Sequence, residues 1–233
     1  YYPVKYYGEF IGFCFPMNKV WAHIEKGQKI EVLADEIPLS YRAGLFRKEM
    51  IPNYGSLVEK KGKSEKNIID LVSEGRLINK FGRVQIPRNI NKNWGAMVFS
   101  SFAPANEMFE KNFRKQLFVF YGGLLGFARS GGIIAHDCDL DLAYFSEETD
   151  PLKVRKEFYG IAEKLAGEYR DITVAEYKIN FTKMRLSVTP VWINSDGEFS
   201  CTFAYVGDVF RVVKEDILPL RRIDYEGYTL NLP

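Results

Sequence analysis

The stretch GGLLGFARSGGIIAHDCDLDLAYF, residues 122–145, constrains the fold most because acidic and apolar residues alternate strictly near its end. Side chains alternate across a β-strand, so Asp137, Asp139 and Asp141 are predicted to share one face, opposite Cys138 and Leu140. Aspartate is a poor strand former, so this acidic face opposes the local preference of the chain. Two interpretations remain open: a solvated acidic face, or a site that holds a cation.

Two glycines precede this strand at a point where a phosphate could bind. Gly122 and Gly123 follow the apolar run LFVFY, where a strand gives way to a short predicted helix. A backbone without side chains can approach an anion, and the first helical turn offers N–H groups that lack a partner within the helix. A plain tight turn is the alternative. Together, the glycines and aspartates predict metal-assisted phosphate chemistry, since Mg²⁺ binds one or two carboxylates together with substrate phosphates.

The order of predicted elements indicates an α+β fold. Residues 1–103 contain short strand-like runs such as GEFIGFCF, KIEVLA and GRVQIP, which predict a β-rich N-terminal module of unknown role. In residues 104–233 a helix is expected to start near Pro104, and LFVFY is either a short strand or the end of that helix. A helix capped by Asp150 follows the acidic strand, and then come the strand-like runs DITVAEY, MRLSVTPVWI, FSCTFAYV and VFRVV. We therefore expect a mixed β-sheet flanked by helices.

Charge and cysteine content exclude several classes of protein. The chain has 32 basic and 30 acidic side chains, a balance that argues against a nucleic-acid partner. Cys14, Cys138 and Cys201 are odd in number and widely spaced, which predicts reduced thiols and neither a disulfide framework nor a zinc site.

No apolar run reaches the roughly 18 residues that a membrane span needs, so we expect a protein of the cytoplasm or of the cytoplasmic side of a membrane. The sequence opens in mid-pattern at YYPVKYY, without a start methionine. We therefore expect a fragment of a longer chain, whose other parts could bring it close to a membrane.

The segment GGLLGFARSGGIIAHDCDLDL resembles the signature of the LicD/fukutin-type phosphotransferases, a family of the nucleotidyltransferase-fold superfamily. A weaker resemblance to the downstream block of that family lies in DILPLRRIDYEGYTLNLP. The resemblance spans about residues 104–233 and implies a nucleotidyltransferase-like mixed sheet in that region. The residues that match the first motif are Gly122, Gly123, Leu124, Leu125, Gly126, Arg129, Gly132, Asp137, Asp139 and Asp141.

The resemblance implies transfer of a phospho-alcohol, such as phosphocholine, glycerol phosphate or ribitol phosphate, from a CDP-linked donor to a glycan hydroxyl. It implies Mg²⁺, or Mn²⁺ in its place, held by Asp139 and Asp141 with help from Asp137. Gly122 and Gly123 would then contact the phosphates of the donor.

One departure from the family pattern affects the expected metal site. A later strand of the family usually carries a third carboxylate in a pattern like VDLWP, whereas LSVTPVW places Ser187 there. Either another acid replaces it, with Asp137 the nearest candidate, or the activity is altered or lost. Cys138 stands where many relatives have a further aspartate, and the predicted alternation turns it toward the other face.

Basic side chains near these motifs are candidates for binding the donor. Arg129 could bind a phosphate oxygen or form a salt bridge to the aspartates. Lys183 and Arg185 alternate on a predicted strand beside Ser187, facing either the site or solvent. Arg221 and Arg222 follow a Pro-Leu step and have the same two alternatives.

Three further side chains have two possible roles each. His136 is either a general base or a packing residue, and Tyr121 and Trp192 either stack on the substrate or belong to the core.

Two other functions compete with the phospho-alcohol transferase. One is a glycosyltransferase or sugar-1-phosphate transferase that uses its DxD motif to hold a nucleotide-sugar metal. The glycine block upstream of the aspartates argues against it. The other is a non-catalytic protein that binds nucleotides or glycans, which Ser187 suggests because serine is a weak Mg²⁺ ligand.

Overall fold

A computed structural model describes backbone and side chains for residues 22–27, 65–79, 83–175, 178–201 and 212–233. For the other short segments that it describes between residues 5 and 57, it gives the backbone alone. The chain divides into two compact units, Tyr1–Pro87 and Arg88–Pro233.

The first unit contains short antiparallel strand pairs. Strand β1 pairs with β2, β3 with β6, β4 with β5, and β7 with β8. Strands lie within each of the runs GEFIGFCF, KIEVLA and GRVQIP, where the sequence predicted them. The elements are β1 (Lys5–Tyr7), β2 (Phe10–Gly12), a 3-10 helix (Trp21–His23), β3 (Lys29–Ile30), β4 (Leu33–Ala34), β5 (Ile37–Pro38), β6 (Ser56–Leu57), α1 (Ile68–Ser73), β7 (Leu77–Ile78) and β8 (Val84–Gln85).

The second unit is built on a six-stranded mixed sheet. After a 3-10 helix (Arg88–Ile90), its elements are α2 (Lys92–Phe113), β9 (Leu117–Val119), α3 (Tyr121–Ser130), β10 (Leu140–Phe145), α4 (Pro151–Glu168), β11 (Ile172–Ala175), β12 (Lys178–Phe181), β13 (Leu186–Ile193), β14 (Phe199–Cys201), a 3-10 helix (Lys214–Asp216), β15 (Arg221–Tyr225) and β16 (Tyr228–Leu232). The strand order is β11-β12-β13-β10-β9, with β14 also paired to β13. Strands β10 and β13 are parallel and the other pairs of this sheet are antiparallel. The predicted α+β class with a mixed sheet is confirmed.

Helix α4 forms where its cap and apolar stripe predict it. The Asp150 side chain accepts a hydrogen bond from the Leu152 amide at 2.8 Å, and Pro151 occupies the first turn, where its missing N–H costs nothing. The stripe faces the core through Val154, Phe158, Ile161, Ala162 and Leu165.

Helix α2 starts earlier than the sequence predicted. Asn91 is its N-cap and accepts a hydrogen bond from the Trp94 amide at 3.1 Å, so Pro104 lies inside the helix. The predicted start near Pro104 is wrong because a buried face, which includes Trp94 and Phe102, continues across the proline. The expected boundary at residues 103/104 falls within this helix, whereas the two compact units divide after Pro87.

The two faces of the sheet pack against different parts of the unit. Helices α2 and α4 bury their apolar stripes in one core cluster with Leu140, Leu142 and Tyr144 of β10. Ala143 and Phe145 of the same strand belong to a second cluster, with residues from the segment 212–220. Side chains alternate, so Asp141 lies on the face of this second cluster, away from the helices.

The sequence led us to expect reduced cysteines and no membrane-spanning segment. Cys138 and Cys201 form no disulfide, whereas Cys14 lies outside the described residues. No helix in the described part of the chain is long and apolar enough to cross a membrane. Of the strand-like runs near the C-terminus, most of FSCTFAYV and VFRVV also lies outside the described residues.

Candidate functional site

The acidic segment is a loop that leads into a strand. Strand β10 includes Asp141, whereas residues 135–139, here called the acidic loop, form a turn and a bend. The prediction that all three aspartates share a strand face is therefore wrong for Asp137 and Asp139. The physical reason is that aspartate favours turns, where its oxygen can bond to nearby backbone. Asp137 Oδ1 accepts such a bond from the Cys138 amide at 3.1 Å.

Asp141 is the centre of a polar cluster that crosses three adjacent strands. Ser187 is its register partner on the parallel strand β13, and the Ser187 hydroxyl donates to Asp141 Oδ1 at 2.5 Å. Lys178, on β12, donates from Nζ to the same oxygen at 2.6 Å. Hydrogen bonds to an ionised group are short and strong, so this cluster holds the Asp141 carboxylate in one orientation.

Asp139 shares the positive charge of Lys178. Its Oδ2 atom lies 3.7 Å from Lys178 Nζ, so two carboxylates converge on one ammonium. The side chain of Asp139 is 32% exposed, that of Lys178 21% and that of Asp141 15%. The cluster is therefore partly withdrawn from solvent but can be reached from it. We call Asp139 and Asp141 the carboxylate pair.

Sequence reasoning missed Lys178. It follows directly on the run DITVAEY, which was predicted as a strand, but the chain forms the hairpin β11–β12 there and Lys178 begins its second strand. The sequence did contain a signal for Lys178. Polar Lys178 and Asn180 alternate with apolar Ile179 and Phe181, as expected of a strand with one buried face. Which strand that face would neighbour depends on the sheet order, and no local pattern indicates the order.

Asp137 lies against the first turn of helix α3. A side-chain carbon built at Gly122 would stand 3.1 Å from Asp137 Oδ2, so the missing side chain leaves room for this carboxylate. Strand β9 leads directly into this helix, and the Phe120 amide donates to the Asp141 carbonyl at 2.8 Å. The glycine end of α3 and the aspartates therefore meet at the N-terminal end of β10.

An arginine that the sequence analysis did not select anchors the acidic loop. Arg88 donates from Nε to the carbonyl of Asp137 at 3.1 Å, and its amide donates to the carbonyl of Ala135 at 2.7 Å. Burial lowers the pKa of Arg88; nearby Cys138 raises it and nearby Arg185 lowers it. The Arg88 guanidinium thus lies against the loop that carries two of the aspartates.

The other glycines of the motif allow close packing. A side-chain carbon at Gly123 would lie 2.7 Å from Val119 Cγ1, and one at Gly126 would lie 2.3 Å from the Gly132 carbonyl oxygen. At Gly132 it would lie 2.7 Å from the Tyr225 hydroxyl. These contacts seat helix α3 on the sheet and on the loop that follows it, so packing alone explains Gly123 and Gly126.

The predicted basic residues are spread over three elements. Lys183 and Arg185 occupy the turn 182–185 between β12 and β13 and are exposed, so their predicted place on a strand is wrong. Arg185 has a φ of 52°, which is found in turns, whereas the residues of a β-strand have a negative φ. The Arg185 carbonyl accepts a hydrogen bond from the Leu140 amide at 3.0 Å, which keeps the turn next to the start of β10.

Arg129 and the arginine pair Arg221 and Arg222 lie on other parts of the unit. Arg129 is exposed in the last turn of α3, at the opposite end of that helix from Gly122. Arg221 and Arg222 are exposed on the hairpin β15–β16. The basic side chain that contacts the carboxylate pair, Lys178, lies on another element, β12.

The aromatic and histidine candidates have packing contacts. Trp192 is 8% exposed. It follows Ser187 by five positions on β13, and because successive side chains of a strand point to opposite faces, Trp192 lies on the face away from Ser187 and Asp141. Tyr121 packs in the second core cluster, and its hydroxyl lies 3.5 Å from Cys201 Sγ. His136 lies in the acidic loop and is half-buried, and its carbonyl accepts a hydrogen bond from Cys138 Sγ at 3.7 Å.

The donor set is suitable for a hard divalent cation bound by two carboxylates. The described residues contain no group of three histidine, cysteine or acidic side chains that could hold a metal ion by themselves. The carboxylate pair nevertheless converges on one positive charge, and Mg²⁺ commonly binds through one or two carboxylates with waters and substrate phosphates completing its shell. Ser187 is the register partner of Asp141 on β13, so that position supplies a hydroxyl and not a third carboxylate.

Comparison with known proteins identifies the C-terminal half of the chain. A search of curated proteins found no match. A family model described as LicD/FKTN/FKRP, nucleotidyltransferase domain, matches residues 114–233, a range that holds the acidic loop, the carboxylate pair, Lys178 and Ser187. The chain therefore belongs to the LicD/FKTN/FKRP family, whose membership indicates a phosphotransferase-type role in glycan or cell-surface modification.

Proposed function

We propose that this protein transfers a phospho-alcohol from a CDP-linked donor to a glycan hydroxyl, with Mg²⁺ held by Asp139 and Asp141. The observation that supports the proposal is the convergence of these two carboxylates on one positive charge beside Gly122. Phosphoryl transfer needs positioning and charge neutralisation more than covalent chemistry, and the cluster offers both.

The transfer makes one bond and breaks one. The acceptor hydroxyl oxygen attacks the phosphorus that carries the alcohol, the bond from that phosphorus to the bridging oxygen breaks, and CMP leaves with the electron pair. When bound, Mg²⁺ supplies positive charge that stabilises the leaving phosphate. The acceptor proton needs a base, and we assign this role to Asp137 because it stands outside the pair that shares Lys178.

Side chains around the cluster are proposed to bind and orient the donor. The N–H groups in the first turn of α3, at Gly122 and Gly123, would donate hydrogen bonds to phosphate oxygens, with Asp137 alongside. Arg185, whose carbonyl accepts a hydrogen bond from the Leu140 amide at the start of β10, is the best placed of the predicted basic residues to meet a phosphate. Lys183, Arg129, Arg221 and Arg222 remain candidates for more distant contacts with donor or acceptor.

A second candidate is a non-catalytic nucleotide-binding protein. It is favoured by Ser187, which stands beside Asp141 in the position where the family pattern has its third carboxylate. The ion pair between Lys178 and Asp141 also favours it, because an ammonium already satisfies part of the charge that a metal would neutralise.

Calorimetric titration with CDP, CMP, UDP and GDP, each with Mg²⁺ and with EDTA, tests the proposal. Binding of cytidine nucleotides that depends on Mg²⁺, followed by CMP release when a CDP-alcohol and a glycan acceptor are added, is the expected result. Nucleotide binding in EDTA as tight as in Mg²⁺, without CMP release, would favour the non-catalytic protein. Preference for UDP or GDP would redirect the assignment to sugar or sugar-phosphate transfer.

A further inference from the structure

Lys178 lies where a metal ion would be expected to bind the carboxylate pair. Its Nζ atom is 2.6 Å from Asp141 Oδ1 and 3.7 Å from Asp139 Oδ2. The same Asp141 oxygen also accepts the Ser187 hydroxyl at 2.5 Å. An oxygen that already accepts two hydrogen bonds has little capacity left for a third partner at coordination distance.

An ammonium and a divalent cation that bind these oxygens at the same time repel each other, which weakens the binding of both. Even in bulk water, a divalent ion and an ammonium about 4 Å apart repel enough to change a binding constant by roughly tenfold or more. The repulsion is stronger here because the three side chains are between 15% and 32% exposed. A metal that takes Oδ1 of Asp141 therefore has to displace the ammonium, and one that takes the other carboxylate oxygen has to overcome its repulsion.

The lysine side chain is suited to such a displacement. It is a compact charge on a flexible stem with three donors, and it is the first residue of β12, so its head can turn without moving the strand. The positive charge of a bound divalent cation would repel the displaced ammonium, which would then move toward any anion bound with the metal. The phosphates of the donor are such an anion.

We propose that Lys178 is an internal counter-cation that competes with Mg²⁺ for Asp141 and, once displaced, binds a phosphate of the nucleotide donor. This inference rests on the proposed function. In the protein without ligands, Lys178 neutralises the carboxylate pair and keeps the cluster ordered. In the complex, the same charge stabilises the donor, so Lys178 opposes metal binding and favours nucleotide binding.

The opposite signs of these two effects provide the test. Lys178→Met removes the charge, and Lys178→Gln also removes it but keeps a donor for Asp141, which protects folding if the methionine variant is unstable. Lys153→Met, an exposed lysine on helix α4, is the matched control. Each protein is titrated calorimetrically with MgCl₂ alone, and then with CDP at saturating Mg²⁺.

Both Lys178 variants are expected to bind Mg²⁺ about tenfold more tightly than the wild type, and CDP at saturating Mg²⁺ about tenfold more weakly. The Lys153 control should match the wild type in both titrations. A purely structural lysine would instead weaken both affinities or neither, and either result would overturn the inference. If the wild type binds Mg²⁺ and CDP while the Lys178 variants bind Mg²⁺ no more tightly, the inference fails and the proposed function survives. If no protein binds a nucleotide with Mg²⁺, both fail.

Discussion

At the scale of single residues, the three aspartates should differ in what they contribute. Asp139→Asn and Asp141→Asn keep the size of the side chain but remove a charge from the carboxylate pair, so Mg²⁺ affinity should fall at least tenfold. Asp137→Asn leaves that pair intact, so Mg²⁺ affinity should be kept while the rate of CMP release falls about 10²-fold to 10⁴-fold. Metal titration and an assay of CMP release separate the two effects.

Wild-type metal affinity in Asp139→Asn and Asp141→Asn would contradict the assignment of the carboxylate pair. Equal losses of metal affinity would instead make Asp137 a third ligand, which is the alternative that Ser187 leaves open. Thermal unfolding of each variant is the control, because Asp141→Asn also removes the partner of Lys178.

Tyr144 provides a separate prediction about pH. It is fully buried on β10, and burial, reinforced by the nearby Glu157 carboxylate, raises its pKa well above the usual value. Its contribution to stability is complete below about pH 10, where an unfolded tyrosine starts to ionise, and is lost as the pH rises further. The unfolding free energy of the wild type should therefore fall above pH 10 by up to about 1.4 kcal/mol per pH unit more than that of Tyr144→Phe.

Urea unfolding between pH 9 and pH 11 measures this difference. Tyr159→Phe, at a tyrosine that is 43% exposed, is the matched control and should follow the wild type. Parallel curves for wild type and Tyr144→Phe would contradict the buried neutral hydroxyl.

At the scale of elements, helix α3 depends on glycines that contact other backbone. A side-chain carbon at Gly126 would lie 2.3 Å from a carbonyl oxygen, so Gly126→Ala should force the helix and the loop apart and destabilise the protein by about 1–3 kcal/mol or more. Gly160, inside α4, has nothing within 4 Å of that position. Gly160→Ala should therefore stabilise the protein by about 0.5–1 kcal/mol, because alanine is the better helix former.

Chemical denaturation of both variants checks the opposite signs. The prediction would be contradicted if Gly126→Ala were neutral, since the backbone contact would then have to be looser than the structure places it. Nucleotide binding by Gly126→Ala further tests whether the packing of α3 against the loop after it positions the first turn of the helix to bind phosphate.

An element is predictable from the sequence when the residues that determine it are close together in the chain, and less so when contacts between distant residues determine it. Helix α4 was predicted from Asp150, Pro151 and an apolar stripe, all of which are local signals. Strand β10 was predicted too long, because alternation continued into the acidic loop, where turn geometry prevailed over the strand pattern. Lys178 was missed because its role depends on the neighbouring strands β13 and β10, a contact between distant parts of the chain. Ser187 lies beside Asp141 in the register of the sheet, and its place in the family pattern stays a prediction.

At the scale of the whole molecule, the boundary between the units decides which fragment folds. The units divide after Pro87, so a fragment of residues 88–233 keeps all of helix α2 and its core cluster. A fragment of residues 104–233, cut at the boundary that the sequence suggested, loses the buried side chains of Trp94, Val98, Phe99 and Phe102. Burial of four such side chains is worth roughly 6–12 kcal/mol, which is comparable with the whole stability of about 5–15 kcal/mol of a typical domain.

We therefore expect the 88–233 fragment to unfold in one cooperative thermal transition and the 104–233 fragment to show none, as followed by circular dichroism. Cooperative unfolding of the shorter fragment would mean that the first half of α2 is dispensable, and that the core over β10 is stable without it. Binding of CDP by the 88–233 fragment in Mg²⁺ would further assign nucleotide recognition to the second unit. Binding by the full chain alone would show that nucleotide binding also requires the first unit, residues 1–87.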